Sequence, residues 1–235
     1  MYSFKGIPGK QSARERCIFM DYKLFLINIP WALIFIILII VTLCVKFHID
    51  TKDLKLLTQT LKTSEYSDSV AISYYRRYIR KHPLSIYNDM IRTLMIPPSI
   101  SALNDKERKK LIKNNYLYFI PEQLNDFIIF CCFVLKENQL NTEFDLLIKR
   151  IISSPKKRKL QNKIQIVLSS DTDDNILESD ILNSSILKSI IYFNTAITKQ
   201  SSSKSDADEY FKKCYELCGL YQMKNIILKR GGKIE

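Results

Sequence analysis

Seven cations and no carboxylate lie between Asp145 and Asp171: Lys149, Arg150, Lys156, Lys157, Arg158, Lys159 and Lys163. A block of one sign attracts anions, which means lipid head groups, an acidic protein face or nucleic acid. Four of these cations follow Pro155 directly, where a helix start would disfavour positive charge unless an anion neutralised it. The stretch that follows reverses the sign, with Asp171, Asp173, Asp174, Glu178 and Asp180, so the two blocks can equally screen one another across a surface. Lys106, Lys109, Lys110 and Lys113 make a second patch, because their spacing gathers them on one side of a helix. Nucleic acid would need exposed aromatics between the cations, and only Tyr116 and Tyr118 lie nearby, which makes it the least favoured anion.

Other chemistry is thinly supplied. The chain holds two histidines, His48 beside an apolar run and His82 just before Pro83, where a helix end is the natural place for it. No dinucleotide loop, phosphate-binding Gly-Lys-Ser/Thr loop, HExxH or GxSxG is present. The six cysteines (Cys17, Cys44, Cys131, Cys132, Cys214, Cys218) include no CxxC pair. Cys131 and Cys132 sit inside an apolar stretch and Cys214 and Cys218 are one helical turn apart, which points to buried packing over zinc or disulfides. The expectation is a non-enzymatic chain without cofactor or metal.

The elements that carry these residues begin with an anchor. Residues 24–45 are 22 uncharged, mostly aliphatic residues between Lys23 and Lys46. As a helix they would reach about 33 Å, which matches a bilayer hydrocarbon core. The run is too long for a cleavable signal peptide, and Leu43 before Cys44 is too bulky for a lipoprotein site. Five bases precede it (Lys5, Lys10, Arg14, Arg16, Lys23) and four follow closely (Lys46, Lys52, Lys55, Lys62). The positive-inside rule therefore favours a cytoplasmic N-terminus and an extracytoplasmic domain by one residue. A basic, serine-bearing leader with one acid in its first twenty residues also fits a mitochondrial transit peptide and an inner-membrane location.

Residues 46–235 hold 31 bases against 22 acids, and helix signals recur along them with proline as punctuation. The pattern predicts helices at 50–64, 68–81, 84–96, 104–115, 122–138, 141–152, 174–200 and 206–228. Asn104 is placed to cap one of them and Pro121 to open another. Residues 164–168 are short enough for a strand. The nine apolar residues 127–135 cannot span a bilayer and read as a central core helix.

Ala71, Tyr75 and Pro83 set a small residue, an aromatic four later and a proline eight beyond that. Ala207, Phe211 and Cys214 repeat the first part of the pattern, and Ala196 supplies a small residue for a preceding helix. This resembles the second helix of a tetratricopeptide repeat, in which small residues let antiparallel helices approach closely. Tyr78 and Gly219 depart from the pattern, and no 34-residue register links Ala71 to Ala207. Two architectures stay open: a tetratricopeptide-like hairpin array and an irregular helical bundle.

The expected molecule is all-α: a basic tail (1–23), one transmembrane helix (24–45) and an α-helical interaction domain (46–235). The resemblance implies a scaffold or assembly subunit that holds partner proteins of a membrane-associated complex. The alternatives are an integral subunit of a secretion or respiratory complex, and a tethered binder of anionic lipid or nucleic acid.

Overall fold

The computed structural model describes residues 33–55, 67–169 and 184–233. The basic tail, the first part of the apolar run and the acidic block at 171–180 lie outside the described residues, as does the helix expected at 50–64 beyond Lys55. The chain falls into two compact units, Met1–Lys52 and Asp53–Glu235.

Helix α1 spans Leu33–Lys55, 23 residues or about 35 Å, and is long and apolar enough to cross a membrane. It continues past Val45, where the apolar run ends, because nothing from Lys46 to Lys55 breaks a helix. Only 6% of its apolar stretch is buried, which distinguishes it from the core helix of a soluble domain. The Thr42 and Thr51 hydroxyls donate to the carbonyls of Leu38 and Phe47, each at 2.7 Å, so these side chains are satisfied within the helix.

The second unit is helical throughout its described residues. Helices α2 (Asp68–Lys81), α3 (Asn88–Leu94), α4 (Ile96–Ala102) and α5 (Asp105–Lys113) are followed by two 3₁₀ turns, Leu117–Phe119 and Glu122–Leu124. Then come α6 (Asn125–Glu137), α7 (Asn141–Ser153), α8 (Leu160–Leu168), α9 (Ser185–Lys199), α10 (Lys204–Cys218) and α11 (Tyr221–Lys229). Residues 164–168 are therefore helical, not a strand.

Helix α6 is the axis of the core. It packs against α3, α4, α7, α8, α9 and α11, and every residue from Ile128 to Leu135 is buried. Its apolar residues run all round the helix, which suits a helix enclosed on every side. An aromatic chain continues outward: Phe133 meets Phe193 edge-on at 5.1 Å, and Phe193 meets Phe211 at 5.7 Å. Aromatic pairs at such spacing add about 0.5–1.5 kcal/mol beyond their burial.

Local chemistry sets the helix ends. Asn104 accepts from the Glu107 amide at 2.9 Å and so caps α5, as its position in the sequence predicts. Several expected boundaries differ: α3 opens at Asn88 rather than 84, and Pro121 precedes the 3₁₀ turn Glu122–Leu124, so α6 opens at Asn125 rather than at 122. Pro97 and Pro98 open α4 rather than closing the helix before them, since proline is tolerated in a first turn whose amides have no partner. The single helix expected at 206–228 is two, because Gly219 takes φ +59° at the end of α10 and turns the chain into α11.

Among the predicted packing residues, Ala196 and Ala207 are 0% and 1% exposed, and Phe211 and Cys214 are fully buried. They lie on α9 and α10, which are joined by a four-residue connection and form an extensively packed α-hairpin. Ala71 is also buried, but α2 packs chiefly on α4, the helix after α3. Pro83 is exposed and is not a packing residue. It acts by stopping α2, and its carbonyl accepts from Asn88 Nδ2 at 2.9 Å. His82 does stand at that helix end, buried against the Tyr78 ring at 4.7 Å with Nε2 2.8 Å from Asp53 Oδ2.

Candidate functional site: a basic ridge and its cleft

Arg108 is the buried post that joins α5 to α7. Its Nε donates to Glu143 Oε1 at 3.1 Å and its Nη1 to the carbonyls of Leu103 and Ile100 at 3.2 and 3.3 Å, while Nη2 pairs with Asp105. Arg108 and Glu143 are only 4% and 3% exposed. Multidirectional recognition of this kind needs a guanidinium, because an ammonium cannot spread its donors across a plane. The consequence is that the two basic patches seen separately in the sequence, one on α5 and one on α7 and beyond, share a surface.

Across that surface Arg150 of α7 donates to the carbonyl of Lys113 and lies over the Tyr116 ring at 5.7 Å. Lys156 Nζ sits over the Tyr118 ring at 4.5 Å. Tyr116 and Tyr118 are 58% and 49% exposed. Lys106, Lys110, Lys113, Lys149, Lys156, Arg158 and Lys159 are exposed, and Lys109, Arg150 and Lys163 are half-buried. Together they form a predominantly basic ridge, with Tyr116 and Tyr118 set among the cations and Asp105, Glu107 and Asp145 as its exposed acids.

Lys157 does not belong to the ridge. It is 0% exposed, and its Nζ donates to the Ile120 carbonyl at 2.9 Å and to Asn125 Oδ1 at 2.6 Å. Burial pushes its ammonium below the ordinary lysine value, with Glu122 opposing the shift. The sequence could not separate it from its neighbours in a run of four bases. The Pro155–Lys159 turns aim every third side chain inward, at Ser154, Lys157 and Leu160. The anion expected at this segment is thus partly replaced by the chain's own oxygen atoms.

On the other side of α5 the ridge drops into a cleft of about 430 Å³ between α2, α3 and α5, floored by Ile79, Leu103 and Leu111. Four cations (Arg76, Arg80, Arg92, Lys110) and one carboxylate (Glu107) line it, together with Tyr75. Arg76 Nη2 pairs with Glu107 Oε1 and Arg92 Nη1 with Asp89 Oδ1, each at 2.7 Å. Burial pushes the Tyr75 phenol above its ordinary value, and the adjacent Arg92 and Arg76 partly offset the rise. Sequence reading placed Tyr75 in a hairpin and Lys110 in a charged patch. The fold brings both to one cleft, and only the three-dimensional packing of α2 on α5's side of the domain makes that visible.

Cys131, Cys132 and Cys214 are buried packing residues: burial pushes their thiols well up, so they stay protonated near neutral pH. Comparison with protein-family models, curated proteins and solved structures gives no match to this chain.

Proposed function

We propose that this chain is a membrane-anchored helical adaptor whose domain holds a partner protein at the bilayer through the basic ridge. The observation that carries the reading is α1: 23 residues, apolar, and exposed along nearly its whole length, which in water would be a large unpartnered apolar surface. The excess of bases just before the apolar run supports a cytoplasmic N-terminus and a domain on the far side. The α9–α10 hairpin is the element to which the tetratricopeptide resemblance applies, and hairpins of that kind bind by surface complementarity without catalytic groups. On the ridge, cations paired with tyrosines offer both charge and stacking to an acidic protein face.

A photo-crosslinking residue in place of Tyr118, in the full chain expressed in its membrane, tests the reading. A discrete protein adduct is expected, and it should disappear when Lys149, Lys156, Arg158 and Lys159 are all changed to Glu while the chain stays in the membrane fraction. Adducts to lipid alone would contradict the adaptor role and support anionic-lipid binding by the same ridge.

A further inference from the structure

We propose that the cleft between α2, α3 and α5 is a binding site for a phosphomonoester or diphosphate group. Of the four cations that line it, Arg76 is paired with Glu107 and Arg92 with Asp89, which leaves an excess of two charges that a single carboxylate ligand would not neutralise. A phosphomonoester carries about −1.5 to −2 charges at neutral pH and three strong acceptor oxygens. The donors present match that chemistry. Arg80 and Lys110 are exposed and have no carboxylate partner among the described residues. Arg76 spends one terminal nitrogen on Glu107 and keeps the other for a ligand, while Arg92, held by Asp89 and by the Tyr75 hydroxyl, contributes as a fixed charge at the edge of the cleft.

Those two ion pairs also pre-orient the guanidinium groups, so little side-chain freedom is lost when an anion arrives. Tyr75 adds a hydroxyl that stays protonated, a donor to a phosphate oxygen at neutral pH. The volume, about 430 Å³, exceeds that of a phosphate group alone and falls in the range of small-ligand sites, so the apolar floor can take part of an organic body. The site shares Lys110 with the ridge, but its arginines, Arg76, Arg80 and Arg92, come from α2 and α3, and it does not depend on how the chain is anchored.

The test uses the full chain in zwitterionic nanodiscs, titrated by calorimetry with inorganic pyrophosphate, and in parallel with vesicles carrying a phosphomonoester lipid against vesicles carrying phosphatidylserine. Binding of pyrophosphate or of the phosphomonoester vesicles is expected, falling steeply with salt, and at least about tenfold weaker in the Arg80→Gln/Lys110→Gln variant. Both side chains are exposed, so that variant keeps its fold, which circular dichroism and melting confirm. Binding in both arms means that the cleft reads the phosphate group itself; binding in one arm identifies the source as solute or lipid. A Lys149→Gln/Lys159→Gln variant of the ridge should bind pyrophosphate as the native chain does. No binding in either arm, equal binding to phosphatidylserine, or loss in the ridge variant with retention in the cleft variant would overturn the proposal.

Discussion

Two buried cations, Arg108 and Lys157, show how differently a charge inside this domain behaves from one on its surface. Arg108→Ala would leave Glu143 charged and buried without its partner, a change that costs about 3–5 kcal/mol. Arg108→Lys should recover little of it, because one ammonium cannot serve Glu143, Asp105 and two carbonyls at once. Chemical denaturation of the domain checks both. Lys157→Met should cost about 1–3 kcal/mol through the orphaned Ile120 carbonyl and Asn125 amide oxygen, whereas Arg158→Gln should stay within about 0.5 kcal/mol. The pH response of Lys157 has a definite sign. Its folded value is lowered, so the unfolded chain holds the proton more tightly and stability is penalised wherever lysine is charged in both states. That penalty lifts as pH rises through the lowered folded value toward the ordinary lysine value. Native protein should therefore gain stability relative to Lys157→Met on going from neutral to alkaline pH, and parallel curves would show that the burial has no such effect.

The α9–α10 hairpin is where sequence and packing agree best. Ala196→Leu or Ala207→Leu inserts volume where both native side chains are buried and should cost about 1–3 kcal/mol, while Lys212→Gln on the exposed side of α10 should cost little. Thermal melts that treat all three alike would refute the close helix crossing. Gly232→Ala should also destabilise, since an added Cβ would lie 2.4 Å from the Phe211 ring and 2.7 Å from Ile227 Cγ2. What the sequence revealed at this scale was local: the capped start of α5, the apolar run of α6, and the small residues of the hairpin each act within a few residues of themselves. What it hid was long-range. That α2 packs on α4, that Arg108 joins α5 to α7, and that Lys157 alone among four consecutive bases turns inward all depend on contacts between residues far apart in the chain. The cleft was illegible for the same reason, because Tyr75, Arg92 and Lys110 come from three different helices. Split helices were missed where one residue decides, as Gly219 does with its positive φ.

The whole molecule combines two solvents' worth of surface. The second unit buries its apolar residues around α6 and exposes a ridge of cations, while α1 keeps Leu33, Ile34, Phe35, Ile36, Ile37 and Leu38 outward, each about half exposed. An aqueous environment would leave that helix face without a partner, and a bilayer supplies one. Extraction of membranes bearing the full chain with alkaline carbonate tests this central claim most directly, with a variant carrying Ile37→Lys and Ile40→Lys as comparison. Each lysine near a span's centre costs about 2.5–3.5 kcal/mol of insertion, enough for two to defeat it. The native chain should remain in the pellet and the variant should move to the supernatant. Release of intact native chain by carbonate, to the same extent as the variant, would contradict the account.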